Sequence, residues 1–473
     1  MKKKSLVPIL FWCTVVICAV SLVSHNYNDL IITTRHGINF WDILLDGKFL
    51  SFYELNRCVS GNVVYDHFQG CAYNILVYTA FAIWNLPLYL LERFAGVDVM
   101  NSVPCLVYAK LLIAAGMVAT VVLFKKILKE LEIPEEKHNL MVYLYASSTL
   151  LTTVVFITGQ YDIFSLVFQL LGVLAFIKGK DRAFVWWFGL AVCFKYFALV
   201  IFLPLMLLKQ KKVLSWIKSL VILIVPLLIT KLPFILHGML SQSATGSGVR
   251  GDMMGVGLMA SMLGSSNANI NINFFVIAYA SILVWCYLQK DDPETNAYNG
   301  IWASLLAYAA FFGLMKAYPY WPVIMAPFVT LVIVMAPHQL YLNLILETIG
   351  VAAFVFANMV RYPWVYFGET LKPMIWPYLL KGSGFNADYT GSLISGLVSW
   401  LKSETYYGTE AFPAIANSAF VAAVIIMTML AYPGNKGNRL QKWPDEKEYW
   451  DVLLARFAVN AVVCLLPILA IFV

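Results

Sequence analysis

Charge is scarce in this 473-residue chain. Asp, Glu, Lys and Arg make up 12% of it, about half the roughly 25% of a soluble domain. Hydrophobic residues make up 61%. A chain this apolar lacks the polar surface to cover itself, which excludes a water-soluble globule and makes lipid its solvent. Close cysteine pairs are missing as well, which excludes a thiolate metal site by spacing. Cys13, Cys18, Cys193, Cys286 and Cys464 sit in apolar runs and read as small buried hydrophobes. Cys58 and Cys71 share one loop, where a disulfide and two thiols are both open. No small-x-small cleavage site follows the apolar run 6–23 behind the Met-Lys-Lys-Lys start, so that run is expected to remain as a first span. Soluble domains, low-complexity tracts and internal repeats are absent from the pattern. The excess of 33 Lys+Arg over 26 Asp+Glu is too small to suggest a nucleic-acid partner.

What is present is a succession of apolar windows long enough to cross a bilayer. They fall near 6–24, 104–124, 139–157, 163–178, 213–236, 273–289, 300–315, 320–336, 339–360, 414–432 and 452–472. The stretch 183–208 is interrupted by Lys195 and flanked by Lys and Arg at both ends, so two short helices that enter and return are expected, with Lys195 near the turn. The apolar stretch 73–92 is expected to lie along the membrane within the first outer loop, because counting it as a span reverses the sidedness of Lys125, Lys126 and Lys129. With this choice the inner segments hold 19 Lys or Arg and the much longer outer segments hold 10. That asymmetry predicts thirteen crossings, the N-terminus inside and the C-terminus outside. The expected fold is an all-α polytopic membrane protein of two modules, 1–236 with outer loop 25–102, and 237–473 with outer loops 237–272 and 361–413. Trp41, Trp84, Trp364, Trp376 and Trp400 fall in these loops and read as an interfacial belt.

Polar groups at membrane depth are costly, which makes each a functional candidate. Four elements share the outer side: Asp29 just after the first span; Gly159-Gln160-Tyr161-Asp162 at a turn; Lys195 in Cys-Phe-Lys-Tyr-Phe; and Lys316, Tyr318 and Tyr320 in Met-Lys-Ala-Tyr-Pro-Tyr-Trp-Pro. A carboxylate at the membrane surface can deprotonate an acceptor hydroxyl. Lysines and tyrosine hydroxyls can hold a phosphate leaving group, and Gln160 and Asp162 can hydrogen-bond sugar hydroxyls. Such a set suits transfer of a sugar from a lipid phosphate. Each position also has a plainer reading: a solvated loop for Asp29 beside Asp42, Asp46 and Asp66, a tight turn for residues 159–162, snorkelling for Lys195, and interfacial anchoring for Lys316.

At these residues the chain resembles the GT-C superfamily of membrane glycosyltransferases, in particular its mannosyltransferase-like members. The likeness runs through most of residues 1–340. It comprises an acidic residue opening the first outer loop, an amphipathic stretch from Tyr73-Asn74-Ile75-Leu76 to Asn85-Leu86-Pro87, and the pair Ala109-Lys110 near the start of the next span. It continues with the Gln-containing turn 159–162 and with Phe194-Lys195-Tyr196 ahead of Pro204. Tyr196 stands where the family pattern has Gln, and Lys-Ala-Tyr stands where many members carry a His-containing element. The resemblance implies an inverting hexosyltransferase using a polyprenyl-phosphate sugar donor and a glycan, lipid or protein acceptor. It implies a bacterial plasma membrane with the active site on the outer face. Asp29 would be the base; Lys195, Lys316, Tyr318 and Tyr320 would hold the donor phosphate; Gln160 and Asp162 would contact sugar or acceptor. Gly246-Ser-Gly248-Val-Arg-Gly251 matches a dinucleotide fingerprint in letters alone, since no strand precedes it. No Asp-x-Asp or His cluster occurs in the outer loops, so neither a required metal nor a cofactor is indicated. A lipid-linked saccharide flippase or transporter, a polysaccharide polymerase or ligase, and an envelope scaffold are the alternatives. The lack of repeats weighs against a transporter, and the dispersal of Arg35, Arg57, Arg93, Arg250 and Arg361 weighs against a polymerase.

Overall fold

The computed structural model describes residues 5–56, 71, 73–240, 272–315, 317–366, 371–379, 393–403, 405–406, 409–434 and 443–472. Nearly all of its regular structure is helical, as the missing water requires, because a helix satisfies its backbone polar groups within itself. Helix α1 (Val7–Ser24) leads into a short strand β1 (His25–Tyr27) and then α2 (Asn28–Leu45). The bent pair α3 (Ile75–Trp84) and α4 (Leu86–Ala95) follows, then α5 (Val103–Glu130). Helix α6 (Glu135–Ala146) breaks before α7 (Thr149–Thr152), which runs into a π-helical turn, Thr153–Ile157. Next come α8 (Asp162–Ile177), α9 (Asp181–Phe194), α10 (Leu199–Lys209), α11 (Val213–Leu240), α12 (Phe274–Leu288) and α13 (Pro293–Leu314). The chain continues with α14 (Ala326–Met335), α15 (Leu340–Arg361), strand β2 (Leu371–Pro373), α16 (Leu393–Ser403), α17 (Ala411–Leu430) and α18 (Trp450–Phe472). Seven of the described helices are long and apolar enough to cross a membrane, or up to nine when each bent pair is taken as one span. The protein is therefore a multi-pass helical membrane protein.

Contacts sort the connections to two ends of the bundle. At one end, Ser5 Oγ and the Leu6 N–H donate to Glu446 at 2.8–2.9 Å. At that same end Lys178 pairs with Glu130 at 2.8 Å, Lys209 with Asp181 at 3.2 Å, and the Tyr341 hydroxyl donates to Asp451 at 2.7 Å. These are the short, Lys-rich connections that the sequence placed inside. At the other end β1 pairs antiparallel with β2, His25 opposite Pro373 and Tyr27 opposite Leu371. There the Tyr73 and Tyr161 rings meet at 4.6 Å and Asn74 donates to Thr230 at 2.8 Å. This second end is the site end.

The bent pair stays at the site end. Its halves meet at 62°. Trp84 and Tyr108 exchange hydrogen bonds with each other's carbonyls at 2.9 and 3.0 Å, and Glu92 pairs with Arg35 of α2 at 2.6 Å. All of these partners sit near the start of α5 or on α2. The expected hairpin over 183–208 is also present: α9 and α10 both leave from the Lys-rich end, and Lys195 joins them in extended conformation, φ −156° and ψ 123°. The 14 residues of α9 rise only about 21 Å, against a hydrocarbon core of roughly 30 Å. Lys195 is therefore recessed below the rim of the site end.

The core runs through the whole bundle, from Val7 of α1 to Ala470 of α18. One buried ion pair crosses it. Arg456 of α18 makes two bonds to Glu347 of α15, at 2.6 and 2.9 Å. It also donates to Ser147 Oγ and the Leu144 carbonyl, groups at the break between α6 and α7. Breaking a helix in lipid frees backbone groups that need partners, and Arg456 supplies them.

Candidate functional site

Asp29 stands in the first turn of α2, where the helix dipole favours a negative charge. Its position is fixed from behind by Lys110 of α5. The Lys110 ammonium is fully buried and donates to the His25 carbonyl at 2.7 Å and the Phe156 carbonyl at 2.6 Å, with the Ser21 carbonyl at 3.5 Å. These carbonyls belong to the end of α1, to β1 and to the π-helical turn. One cation thus ties the segment before Asp29 to the segment before Gln160.

The turn 158–162 is shaped by Gly159. Its φ is +58°, in the left-handed region, and a Cβ there would stand 2.7 Å from Leu30 Cδ2. Only glycine fits both demands. The Gln160 N–H reaches back to the Val154 carbonyl at 3.1 Å, and Asp162 opens α8. A π-turn leading into a left-handed glycine is a local departure from regular helix of the kind found at functional sites.

The candidate residues converge here. The Gln160 amide lies beside Asp29 with its Nε2 buried and without a hydrogen-bond partner, and the Tyr161 hydroxyl points to Asp29 Oδ2 at 3.5 Å. Lys195 Nζ lies 2.6 Å from Asp162 Oδ1, with the two side chains 15% and 1% exposed. The ammonium is boxed by aromatic faces, Trp321 at 5.3 Å, Phe197 at 5.8 Å and Tyr161 at 5.9 Å. Tyr161 therefore stands between the carboxylate of Asp29 and the cation of Lys195. Burial pushes the Asp29 carboxyl up to about 6; the neighbouring Gln160 amide and the charge of Lys195 hold it down, while Asp162 pushes it up. Burial also raises the hydroxyls of Tyr27, Tyr73 and Tyr320 far above their ordinary range, with Asp29 adding to each shift.

Of the seven residues singled out in the sequence, Asp29, Gln160, Asp162, Lys195 and Tyr320 belong to one electrostatic cluster. Tyr318 forms its rim, 40% exposed and stacked on Tyr320 with centroids 5.8 Å apart. Lys316 lies outside the described residues, as does Cys58. Asp42 lies near the far end of α2 and accepts from the Tyr89 hydroxyl at 2.9 Å. Thirteen residues of helix rise about 20 Å, so Asp42 is remote from the cluster. Among the described residues no group of three or more His, Cys, Asp or Glu is placed to hold a metal.

Two participants were missed in the sequence. Lys231 of α11 donates to the Tyr196 hydroxyl and lies 5.0 Å over its ring, bringing a second cation beside the Lys195 turn. Its signal was the one that exposed Lys195, a lysine inside an apolar run (Leu228-Ile229-Thr230-Lys231-Leu232). In the sequence Tyr161 reads only as a turn residue, yet it separates the two charges. No family model matches the chain, and comparison with curated proteins returns no match.

Proposed function

We propose that this protein transfers a sugar from a polyprenyl-phosphate donor to an acceptor hydroxyl, at a site open to the outer side of the membrane. In this reading α1 and α5–α18, without the short α16 and with the broken α6–α7 as one span, make thirteen crossings, and the site end faces out. One observation carries it: a carboxyl poised at about 6 and a recessed lysine lie on either side of one tyrosine, at the end of the bundle away from the basic connections.

The chemistry follows from the geometry. Near neutral pH, Asp29 is largely ionised and accepts the acceptor's proton as its oxygen attacks the anomeric carbon. The bond from that carbon to the phosphate oxygen breaks, and its electron pair leaves with the lipid phosphate. Lys195 receives that charge. Its ammonium has three N–H donors and Asp162 takes one, so two remain for phosphate oxygens. The aromatic box keeps water away, which strengthens each charge contact. Attack opposite the leaving phosphate inverts the anomeric centre. The Gln160 amide, whose buried nitrogen has no hydrogen-bond partner, meets the acceptor or sugar, while Tyr318 and Tyr320 close the rim.

The test is reconstitution of the pure protein in liposomes with a panel of polyprenyl-phosphate sugars, reading donor consumption and product mass. A product one hexose heavier than the acceptor is expected. If no donor is consumed while a lipid-linked saccharide crosses the bilayer, the protein is a flippase instead.

A further inference from the structure

Helix α8 carries three polar side chains in an otherwise apolar sequence, Asp162, Ser165 and Gln169. With Gly172 they recur at steps of three, four and three, which puts them on one face of the helix. That face is turned to the hairpin that bears Lys195. Asp162 meets the Lys195 ammonium at 2.6 Å. One turn deeper, the Ser165 hydroxyl donates to the Ala191 carbonyl of α9 at 3.0 Å, and the same carbonyl accepts the Lys195 N–H at 2.9 Å. Gln169 Nε2 donates to Ser165 Oγ at 3.0 Å, and Gln169 Oε1 accepts from the Tyr308 hydroxyl of α13 at 2.5 Å. That hydroxyl also stands 3.5 Å from the Phe197 carbonyl. Gly172 lets α9 close in below, since a Cβ there would stand 2.5 Å from the Phe188 ring. Ser165, Gln169 and Tyr308 are fully buried.

Apolar side chains of the same shape would close this seam at no polar cost, so stability alone does not call for the chain. Its donors run in one direction, from Tyr308 to Gln169 to Ser165 to Ala191, and bonds in such a chain polarise and strengthen one another. Its ends fall on the backbone around Lys195, at Ala191 and Phe197, and Phe197 is also one wall of the aromatic box. Lys195 itself is extended between two helices, with no helical turn of its own to fix its heading. We infer that Ser165, Gln169 and Tyr308 are positioning residues that hold the Lys195 turn at the depth where its ammonium meets Asp162 and directs its other N–H donors at the donor phosphate. None of the three touches the reacting atoms. The inference rests on the reading of Lys195 as the group that receives that phosphate.

Two variants test it. Tyr308→Phe removes the first donor and leaves the buried Gln169 amide oxygen unpaired. Tyr308→Phe combined with Gln169→Met removes both partners, so that oxygen is gone as well. Each full-length protein is measured in detergent for its unfolding temperature and for its affinity for polyprenyl-phosphate hexose. The third measurement is the rate at which an amine-acylating reagent modifies Lys195, read on its peptide by mass spectrometry with the exposed Lys447 as reference. Tyr308→Phe is expected to lower the unfolding temperature, and the double variant to recover most of that loss. In both, Lys195 is expected to acylate several-fold faster, because a loosened turn uncovers the amine, while Lys447 keeps its rate. Donor affinity is expected to fall about tenfold or more in both, the scale of one misplaced charge-assisted hydrogen bond. Stability that returns without donor affinity is what positioning predicts and packing does not. A double variant with wild-type Lys195 acylation and wild-type donor affinity overturns the inference, and so does faster acylation with unaltered affinity for a donor that the wild type binds. If the double variant does not fold, the acylation rate and affinity of Tyr308→Phe decide. Faster Lys195 acylation in the variants of a protein that binds and consumes no donor sinks the proposed function and leaves the positioning of Lys195 standing. Sugar transfer by the wild type, with Lys195 acylation unaltered in both variants, does the reverse.

Discussion

At the scale of residues, the division of labour between Asp29 and Lys195 is open to separation. Asp29→Asn keeps size and hydrogen bonding but removes the proton acceptor, and turnover is expected to fall by about 100-fold or more. Donor binding should change far less, because the charge acts on the acceptor in the transition state. The pH profile gives a second reading. A carboxyl held near about 6 is protonated below that pH and then cannot accept a proton. The kcat/KM of the wild type is therefore expected to drop on the acid side of about 6, and Asp29→Asn should lose that limb. A flat wild-type profile between pH 5 and 7 would remove Asp29 as the base. Lys195→Met keeps the apolar stem and removes the cation. Donor binding is expected to weaken by about tenfold or more together with turnover. That change also strands the buried carboxylate of Asp162, so Lys195→Met combined with Asp162→Asn is the companion variant. If the double variant folds as wild type and still binds donor normally, Lys195 does not hold the phosphate.

At the scale of elements, the turn 158–162 and the lysine behind it decide whether the site assembles. Gly159→Ala meets both an unfavourable φ and Leu30 Cδ2 at 2.7 Å, and Leu30 is the neighbour of Asp29. A loss of roughly 1–3 kcal/mol is expected from backbone strain, read as a lowered unfolding temperature in detergent. Lys110→Met leaves the His25 and Phe156 carbonyls without their donor. Buried unsatisfied carbonyls cost about 1–3 kcal/mol each, so a larger drop is expected there. An unchanged unfolding temperature for Lys110→Met would show that these carbonyls find water. Some of this was legible in the sequence. A lysine amid apolar residues with basic flanks announced the hairpin at Lys195, and a Gly-Gln-Tyr-Asp string between two apolar windows announced the turn. The helix over Asn28–Leu45 was not foreseen, because its mixed polar and apolar residues show no spanning run. Nor does a sequence record that Lys110 reaches His25 and Phe156, or that Arg456 meets Glu347. Those pairings join residues far apart in the chain, and no local period encodes them.

At the scale of the whole molecule, the segregation of connections makes a topological prediction. Lys447 and Tyr378 lie at opposite ends of the bundle, both exposed. On a background without accessible native thiols, Tyr378→Cys is expected to react with an impermeant maleimide in intact cells, and Lys447→Cys only after lysis. The opposite result would turn the protein over and place the site inside. The loops 237–272 and 361–413 are expected outside and 433–451 inside by the same basic asymmetry; Ser247 and Asn438, their natural label positions, lie outside the described residues.

The strand pair His25–Pro373 to Tyr27–Leu371 also dictates when the protein becomes competent. The segment that sets Asp29 leaves the ribosome early, but its partner strand emerges roughly 350 residues later, about 20–70 s at ~5–20 residues per second. Through that interval β1 is an edge without its neighbour, waiting in a half-inserted chain. A nascent protein stalled before residue 371 would contain every member of the charged cluster and still lack the strand that pairs with β1. Activity should therefore switch on late in synthesis, when the second half of the chain comes back to the first.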